Sequence, residues 1–292
     1  MSGGWMLTRV DVVTSAQTSG AVTATVVTAV DLERRLPPPA ALRPWITEIA
    51  HIPMVRPAVT AFTHVPETAT TIVLRRAASG QRDVLVLGPR TRATYANPNK
   101  AAGCTRIRLA PGASEALLGL PAAALTDRVA RLSDLPGPAA ELAAGLLVRE
   151  PEEIADFLEA ELPQYLRDNP IRRDHRRLLD SAVAAIGSTV PVGEVATSLA
   201  VSERQLRNLF TAGIGLSPKH YARITRVRQI LAAAGNTPWS HLATDSGYYD
   251  QSHMTADFRS LMGVTPGRFF QGRVPAPTPC QSITRPFELR SA

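Results

Sequence analysis

Apolar and polar positions alternate differently along three parts of this chain. Between residues 45 and 110 the apolar residues come in short β-type runs: "TTIVLRR" (70–76), "RDVLVLG" (82–88) and "CTRIRLA" (104–110). Turn formers such as "GPR" and "NPNKAAG" separate them, which predicts a small β-rich unit. From residue 111 the period lengthens to that of a helix, in "GASEALLGLP", "PAAALTDRVARL" and "GPAAELAAGLLV". The acidic stretch "PEEIADFLEAELPQYL" (151–166) sets Ile154, Phe157, Leu158 and Leu162 on one stripe, the pattern of an amphipathic helix packed on its own domain or, alternatively, of a dimer or partner surface. Beyond residue 172 the spacing predicts helices at about 175–187, 192–199, 203–212, 218–233, 238–246 and 251–262, with a short one after 266. The ends are different in character. Residues 1–36, rich in Thr, Val and Ala, read as an extension that is part strand or loosely ordered. "LPPPAALRP" (36–44) is a break, and the Pro-rich tail after 273 reads as disordered. Four segments result: 1–36, 37–171, 172–272 and 273–292.

Start and stop signals sharpen the last helices. Ser202 with Gln205 three residues on is a capping box, each side chain serving a free N–H of the first turn. Ser217-Pro218, Thr237-Pro238 and Thr265-Pro266 each put a hydroxyl before a proline at a helix start, where the missing N–H costs nothing. Gly215, Gly247 and Gly263 stand where left-handed C-terminal caps are expected.

These signals repeat. "GLSPKHY" (215–221) and "GVTPGRF" (263–269) share one pattern at an offset of 48, which also relates Leu206 to Met254, Phe210 to Phe258 and Ser202 to Asp250. Upstream, "VAT" (195–197) and "LAT" (242–244) match at an offset of 47, so one residue has been added in between. The unit is duplicated. Each copy is two short helices about a tight turn, with Val195, Ala196 and Leu199 facing Leu206, Leu209 and Phe210, and Leu242 and Ala243 facing Met254 and Phe258. This is a helix-turn-helix, twice. Helix 218–233 joins them, its stripe of Tyr221, Ile224, Val227, Ile230, Leu231 and Ala234 turned inward. At about 1.5 Å per residue it spans roughly 24 Å, a spacer suited to two recognition helices about one DNA turn, roughly 34 Å, apart.

Composition adds bounds. The chain has 292 residues, 45% hydrophobic and 20% charged, enough for two domains with separate cores. It has no apolar run of membrane-spanning length and no secretory-type start. Its two cysteines, Cys104 and Cys280, are far apart, which fits a reducing cytoplasm. The net charge of +7 is unevenly placed: residues 1–171 carry 17 basic and 17 acidic side chains, whereas 172–272 carry 12 and 7. Such an excess on one part suits an electrostatic partner for that part, nucleic acid above all.

Residues 172–272 resemble the DNA-binding domain of AraC/XylS-type transcription regulators. The resemblance is carried by "VSERQLRNLF", "GLSPKHYARITRVRQIL" and "HLATDSGYYDQSHMTADFRSLMGVTPGRFF". More loosely, 104–147 resembles the end of a β-rich, cupin-like N-terminal domain found in some of these regulators. The implied fold class is α+β: a β-rich N-terminal sensor or dimerisation domain, then an all-α C-terminal domain of two helix-turn-helix motifs joined by a linker helix. The family inserts the second helix of each motif into successive major grooves. The matching base-facing positions are Arg204, Gln205, Arg207 and Asn208 in the first copy, and Gln251, Ser252, His253 and Thr255 in the second. Arginine suits guanine, and Asn or Gln suits adenine. Phosphate contacts are expected from Ser202, Lys219, Arg223, Arg259 and Arg268, with Arg226 or Arg228 pairing internally to an acidic residue such as Asp245 or Glu194. Many relatives carry a basic residue near 256 or 257, where this chain has Ala256 and Asp257, so the second helix is expected to be the poorer reader. The implied partners are double-stranded DNA, RNA polymerase, an unknown small-molecule effector and a second copy in a homodimer, with no membrane and no cofactor.

The sequence admits other readings less well. An alkyltransferase carrying this helical domain needs a thiolate cluster, and the N-terminal part has Cys104 alone. A cupin metal enzyme needs closely spaced histidines, whereas His51 and His64 are 13 positions apart. No catalytic or metal-binding residue is therefore assigned. The remaining alternative is an interaction protein whose N-terminal domain binds a partner while the helical domain binds DNA weakly.

Overall fold

A computed structural model gives the structure of the chain and describes residues 27–28, 34–55, 62–97, 102–166, 170–186, 190–234 and 237–279. Expectations for residues 1–26, 29–33 and 280–292 lie outside the described residues. The strands are β1 (Val27–Thr28), β2 (Arg34–Leu36), β3 (Ile46–Val55), β4 (Phe62–His64), β5 (Thr71–Ala77), β6 (Arg82–Leu87), β7 (Thr94–Asn97), β8 (Ala102–Leu109), β9 (Val129–Arg131) and β10 (Thr278–Pro279). The helices are α1 (Ser114–Leu118), α2 (Ala122–Leu125), α3 (Ala139–Leu147), α4 (Ile154–Tyr165), α5 (Pro170–Ile186), α6 (Val192–Ser198), α7 (Glu203–Gly213), α8 (Pro218–Ala233), α9 (Trp239–Asp245), α10 (Gln251–Met262) and α11 (Pro266–Phe270). The fold is α+β: β1–β8 come first and most helices after, with β9 following α2 and β10 following α11.

The larger sheet runs β2-β3-β8-β5-β6-β9, all antiparallel. Its register aligns one apolar row across five strands: Ile49, Ile107, Ile72, Val86 and Ala130. All five are buried, and they pack with Leu117, Leu118, Leu142, Leu158 and Leu162 of the helices into one core. Because strand side chains alternate, Arg106 and Arg108 on either side of Ile107 are turned to the opposite face. The smaller sheet, β1-β4-β7-β10, lies beside it. Its Tyr95, with the nearby Val65, belongs to the second core, that of the helical unit. That core is built on Leu206, Phe210, Ile224, Val227, Ile230, Met254 and Phe258.

Several expectations are revised. β2 pairs with β3, so the β-unit begins before residue 37. The stretch after 273 is not all loose: Thr278–Pro279 pairs with β7, and the Thr278 hydroxyl donates to Tyr95 O at 3.2 Å. α5 begins at Pro170 rather than 175. Neither Thr237 nor Thr265 caps through its side chain; α9 starts on Pro238, and Thr265 holds the N-cap position without a side-chain bond.

The duplication is visible in hydrogen bonds. In the first turn Ala200 N–H donates to Thr197 O and Val201 N–H to Ala196 O; in the second, Gly247 donates to Thr244 O and Tyr248 to Ala243 O. All four pairs keep the offset of 47, so the added residue is Tyr249, which is 95% exposed. The shared conformation is left-handed, with φ of 53° at Ala200 and 72° at Gly247. A Cβ is disfavoured there by about 1 kcal/mol. Ala200→Gly is therefore expected to stabilise the chain by roughly 0.5 kcal/mol, and Gly247→Ala to destabilise it by about 1 kcal/mol. Urea-unfolding midpoints of the two variants check both signs.

Candidate nucleic-acid interface

The second helix of each motif begins with a side-chain cap. At α7 the Ser202 hydroxyl accepts from Gln205 N–H at 3.2 Å, and Gln205 Oε1 accepts from Ser202 N–H at 2.8 Å and from the Ser202 hydroxyl at 2.9 Å. Both residues expected at the DNA, Ser202 for phosphate and Gln205 for a base, are thus engaged with each other in the capping box. A bidentate grip of Gln205 on adenine would draw its amide oxygen out of that box. Arg204, Arg207 and Asn208 are exposed along the same helix. At α10 the cap is Asp250, whose Oδ1 accepts from His253 N–H at 2.7 Å. Gln251, Ser252 and His253 are exposed and Thr255 is partly so. The His253 ring lies edge-on to buried Tyr248, with centroids 5.3 Å apart.

The structure separates Ala256 from Asp257. Ala256 is exposed, whereas Asp257 is only 7% exposed and faces inward. Its Oδ1 accepts from Arg223 Nε at 2.8 Å, and Arg226 Nη2 stands 3.8 Å from Oδ2. Arg223 also donates to the Ser260 hydroxyl at 3.1 Å. Arg223, expected at phosphate, is held by this buried carboxylate. Arg226 and Arg228 are paired as expected in kind, but with Asp257 and Glu67 rather than Asp245 or Glu194. Lys219, Arg259 and Arg268 are exposed, and no ion pair to a described residue engages them.

The β-unit grips both recognition helices at their C-terminal ends. Gly112 N–H donates to Gly213 O at 2.9 Å, and the Thr126 hydroxyl donates to Gly215 O at 2.9 Å. Ala93 N–H donates to Leu261 O at 2.8 Å, and the Tyr95 hydroxyl donates to Met262 O at 2.6 Å. Gly215 is required twice over: its φ is +85°, and a Cβ there would stand 2.5 Å from Thr126 Oγ1 and 2.8 Å from Ala122 O. Burial pushes the Tyr95 phenol up to about 12, so it stays a donor. Between these grips, Glu67 lies 8% exposed. It takes Arg108 at 2.9 Å and Arg228 of α8 at 3.1 Å, with Arg106 at 3.8 Å. Burial disfavours its charge, but the Arg228, Arg108 and Arg106 guanidiniums and the Thr68 N–H outweigh that and hold its carboxyl below the usual glutamate range. Beside this cluster a cavity of about 990 Å³ separates the two units, bounded by Glu67, Thr70, Arg108, Tyr221, Thr225 and Arg228. The residues of the β-unit in these contacts carried no motif; the one sequence signal was the Arg–Ile–Arg–Leu alternation of β8.

Comparison with known proteins follows these elements. Residues 195–272 match a family described as a helix-turn-helix domain. Residues 195–272 are an AraC-type helix-turn-helix domain. Residues 34–131 match a domain of unknown function (DUF6597). The AraC-type part has a curated relative in the HTH-type transcriptional activator RhaR of Enterobacter sp. (strain 638), 28% identical over 126 residues, 39% of this chain and 45% of that one. The match thus spans less than half of the relative's length. Solved structures with a likeness include ToxT from Vibrio cholerae (TM-score 0.38, 10% identity, covering 76% of this chain and 96% of that one). A probable AraC family transcriptional regulator from Rhodopseudomonas palustris (TM-score 0.29, 19% identity) covers 34% of this chain and 99% of that one. Among the described residues no helix is long and apolar enough to cross a membrane.

Two measurements follow from the AraC-type unit and its partner. Arg223→Ala is expected to lower folding stability by about 1 kcal/mol, because Asp257 loses its nearest cation; an unchanged urea midpoint would show that the pair contributes nothing. The second concerns pH. Burial first, then Arg90 and Arg106, push His64 down to about 3, so it is neutral in the folded state. Unfolding at pH 5 must then take up a proton. Stability should fall as pH drops below the ordinary histidine value of about 6.5, by up to about 1.4 kcal/mol per pH unit from this group. Unfolding midpoints of the parent chain and His64→Gln between pH 7.5 and 5 isolate its share of the slope.

Proposed function

We propose that the chain is a sequence-specific transcription regulator that reads double-stranded DNA through α7 and α10 in two adjacent major grooves. The observation that carries the reading is the duplicated motif itself. Two recognition helices of matched build are held on one connector, and each leaves a row of hydrogen-bonding side chains exposed. Arg204, Arg207 and Asn208 are the strongest base readers; Gln251, Ser252, His253 and Thr255 are the second set. Lys219, Arg259 and Arg268 serve phosphates. α7 exposes two arginines and an asparagine, which suit guanine and adenine, whereas α10 exposes Gln251, Ser252 and His253 and has no arginine before Arg259. Specificity therefore comes mainly from α7.

The β-unit modulates this reading. A small-molecule effector seated in the cavity beside Glu67 and Arg228 acts on the joint between the units. RNA polymerase and a second copy of the chain are the macromolecular partners of this reading besides DNA.

Selection from random duplexes at physiological salt tests the function: enrichment of one motif is expected, and none beyond non-specific binding would refute it. With the enriched duplex in hand, Arg204→Ala or Arg207→Ala should lose about 1–3 kcal/mol and relax preference at one base position. Titration against single-base variants of the duplex reads that change.

A further inference from the structure

The loop between β6 and β7 brings one arginine of the β-unit to the edge of the second recognition helix. Its backbone is fixed on both sides. The Thr91 N–H and hydroxyl donate to Asp127 at 2.7 and 2.6 Å, and Ala93 N–H donates to Leu261 O at 2.8 Å. Arg92 between them is exposed, and no ion pair to a described residue engages it. Asp127, beside the loop, is already bonded by both Thr91 donors. Arg92 lines a crevice of about 780 Å³ together with Thr94, Ala256, Arg259 and Ser260. Its charge also reaches His220, in the first turn of α8, whose pKa burial, then Arg223, and Arg92 all lower.

We infer that Arg92 is a DNA-backbone contact supplied by the β-unit, standing beside Arg259 at the rim of α10. The inference rests on the reading of α10 as a groove-inserted helix. α10 offers no cation at its exposed position 256, and the next residue, Asp257, faces inward. A duplex lying along the Gln251–Thr255 face brings a phosphate strand past Ala256 and Arg259. Arg92 faces the same crevice from a fixed backbone, so little loop ordering opposes the contact. A guanidinium there neutralises a phosphate without reading sequence. The β-unit thereby belongs to the DNA-binding surface as well as to its regulation.

The test uses the full chain and the duplex enriched by selection. Arg92→Ala should lower the slope of log Kobs against log salt by about 0.9, the release of one phosphate counterion. It should weaken the enriched and a scrambled duplex alike, by several-fold at low salt, and leave the base preference unchanged. Arg92→Lys should restore the slope, and the melting temperature without DNA should not move. An unchanged slope in Arg92→Ala, with Arg204→Ala still losing its base preference, would overturn the inference and leave the reading of α7 and α10 standing. Failure to enrich any duplex would overturn both.

Discussion

A helix ends in carbonyls that its own backbone cannot satisfy, and here the recognition helices end against another part of the chain. Gly213, Gly215, Leu261 and Met262 each present a carbonyl to a donor from the β-unit. Each bond contributes about 1 kcal/mol net, while a buried carbonyl left without a donor costs about 1–3 kcal/mol. The directional content matters more than the sum. A hydrogen bond fixes distance and angle, so four of them, two per helix, fix how α7 and α10 are tilted relative to the sheets. The separation of the two reading faces is then set by the β-unit as well as by the 16 residues of α8.

Charge inside the molecule follows the same division. Among the described residues, Glu67 and Asp257 are the buried carboxylates of the joint and of the helical unit, and together they engage Arg223, Arg226 and Arg228 on α8. Burying such groups costs desolvation that the ion pairs only partly offset, so neither cluster is strong evidence for stability. What they supply is orientation, because a displaced partner leaves a charge stranded. The basic excess of the helical unit is thus smaller at its surface than its composition suggests. All three of the connector's arginines face carboxylates, whereas Arg204, Arg207, Lys219, Arg259 and Arg268, on the recognition helices and helix starts, are exposed.

Local signals were legible in the sequence and long-range ones were not. The Ser202–Gln205 box, the left-handed Gly215, Gly247 and Gly263, and the duplicated turn all depend on residues within a few positions of each other. So do the runs that became β5, β6 and β8. The strand β3 is not legible in the sequence because Pro53 and the polar Thr47, Glu48 and His51 break its pattern, and its order comes from β8, far along the chain. The inward turn of Asp257 follows from Arg223 on another helix, which no spacing within α10 encodes. Gln205 satisfied two patterns at once, a cap and a base reader. The structure places its oxygen on the nearer partner, Ser202.

The cavity and the grips together describe how the units can influence each other. The cavity is bounded by Arg228 and Glu67, and its walls also reach Gly213 and Ile214 at the end of α7. It therefore adjoins one of the two grips directly. The grip on α10 lies elsewhere, at Ala93 and Tyr95, on the smaller sheet. On the proposed reading, a molecule seated in the cavity acts first on the Glu67–Arg228 pair and on the grip at Gly213 and Gly215, which holds the end of α7. The grip on α10 shares no residue with the cavity lining, so the proposed coupling reaches α7 before α10.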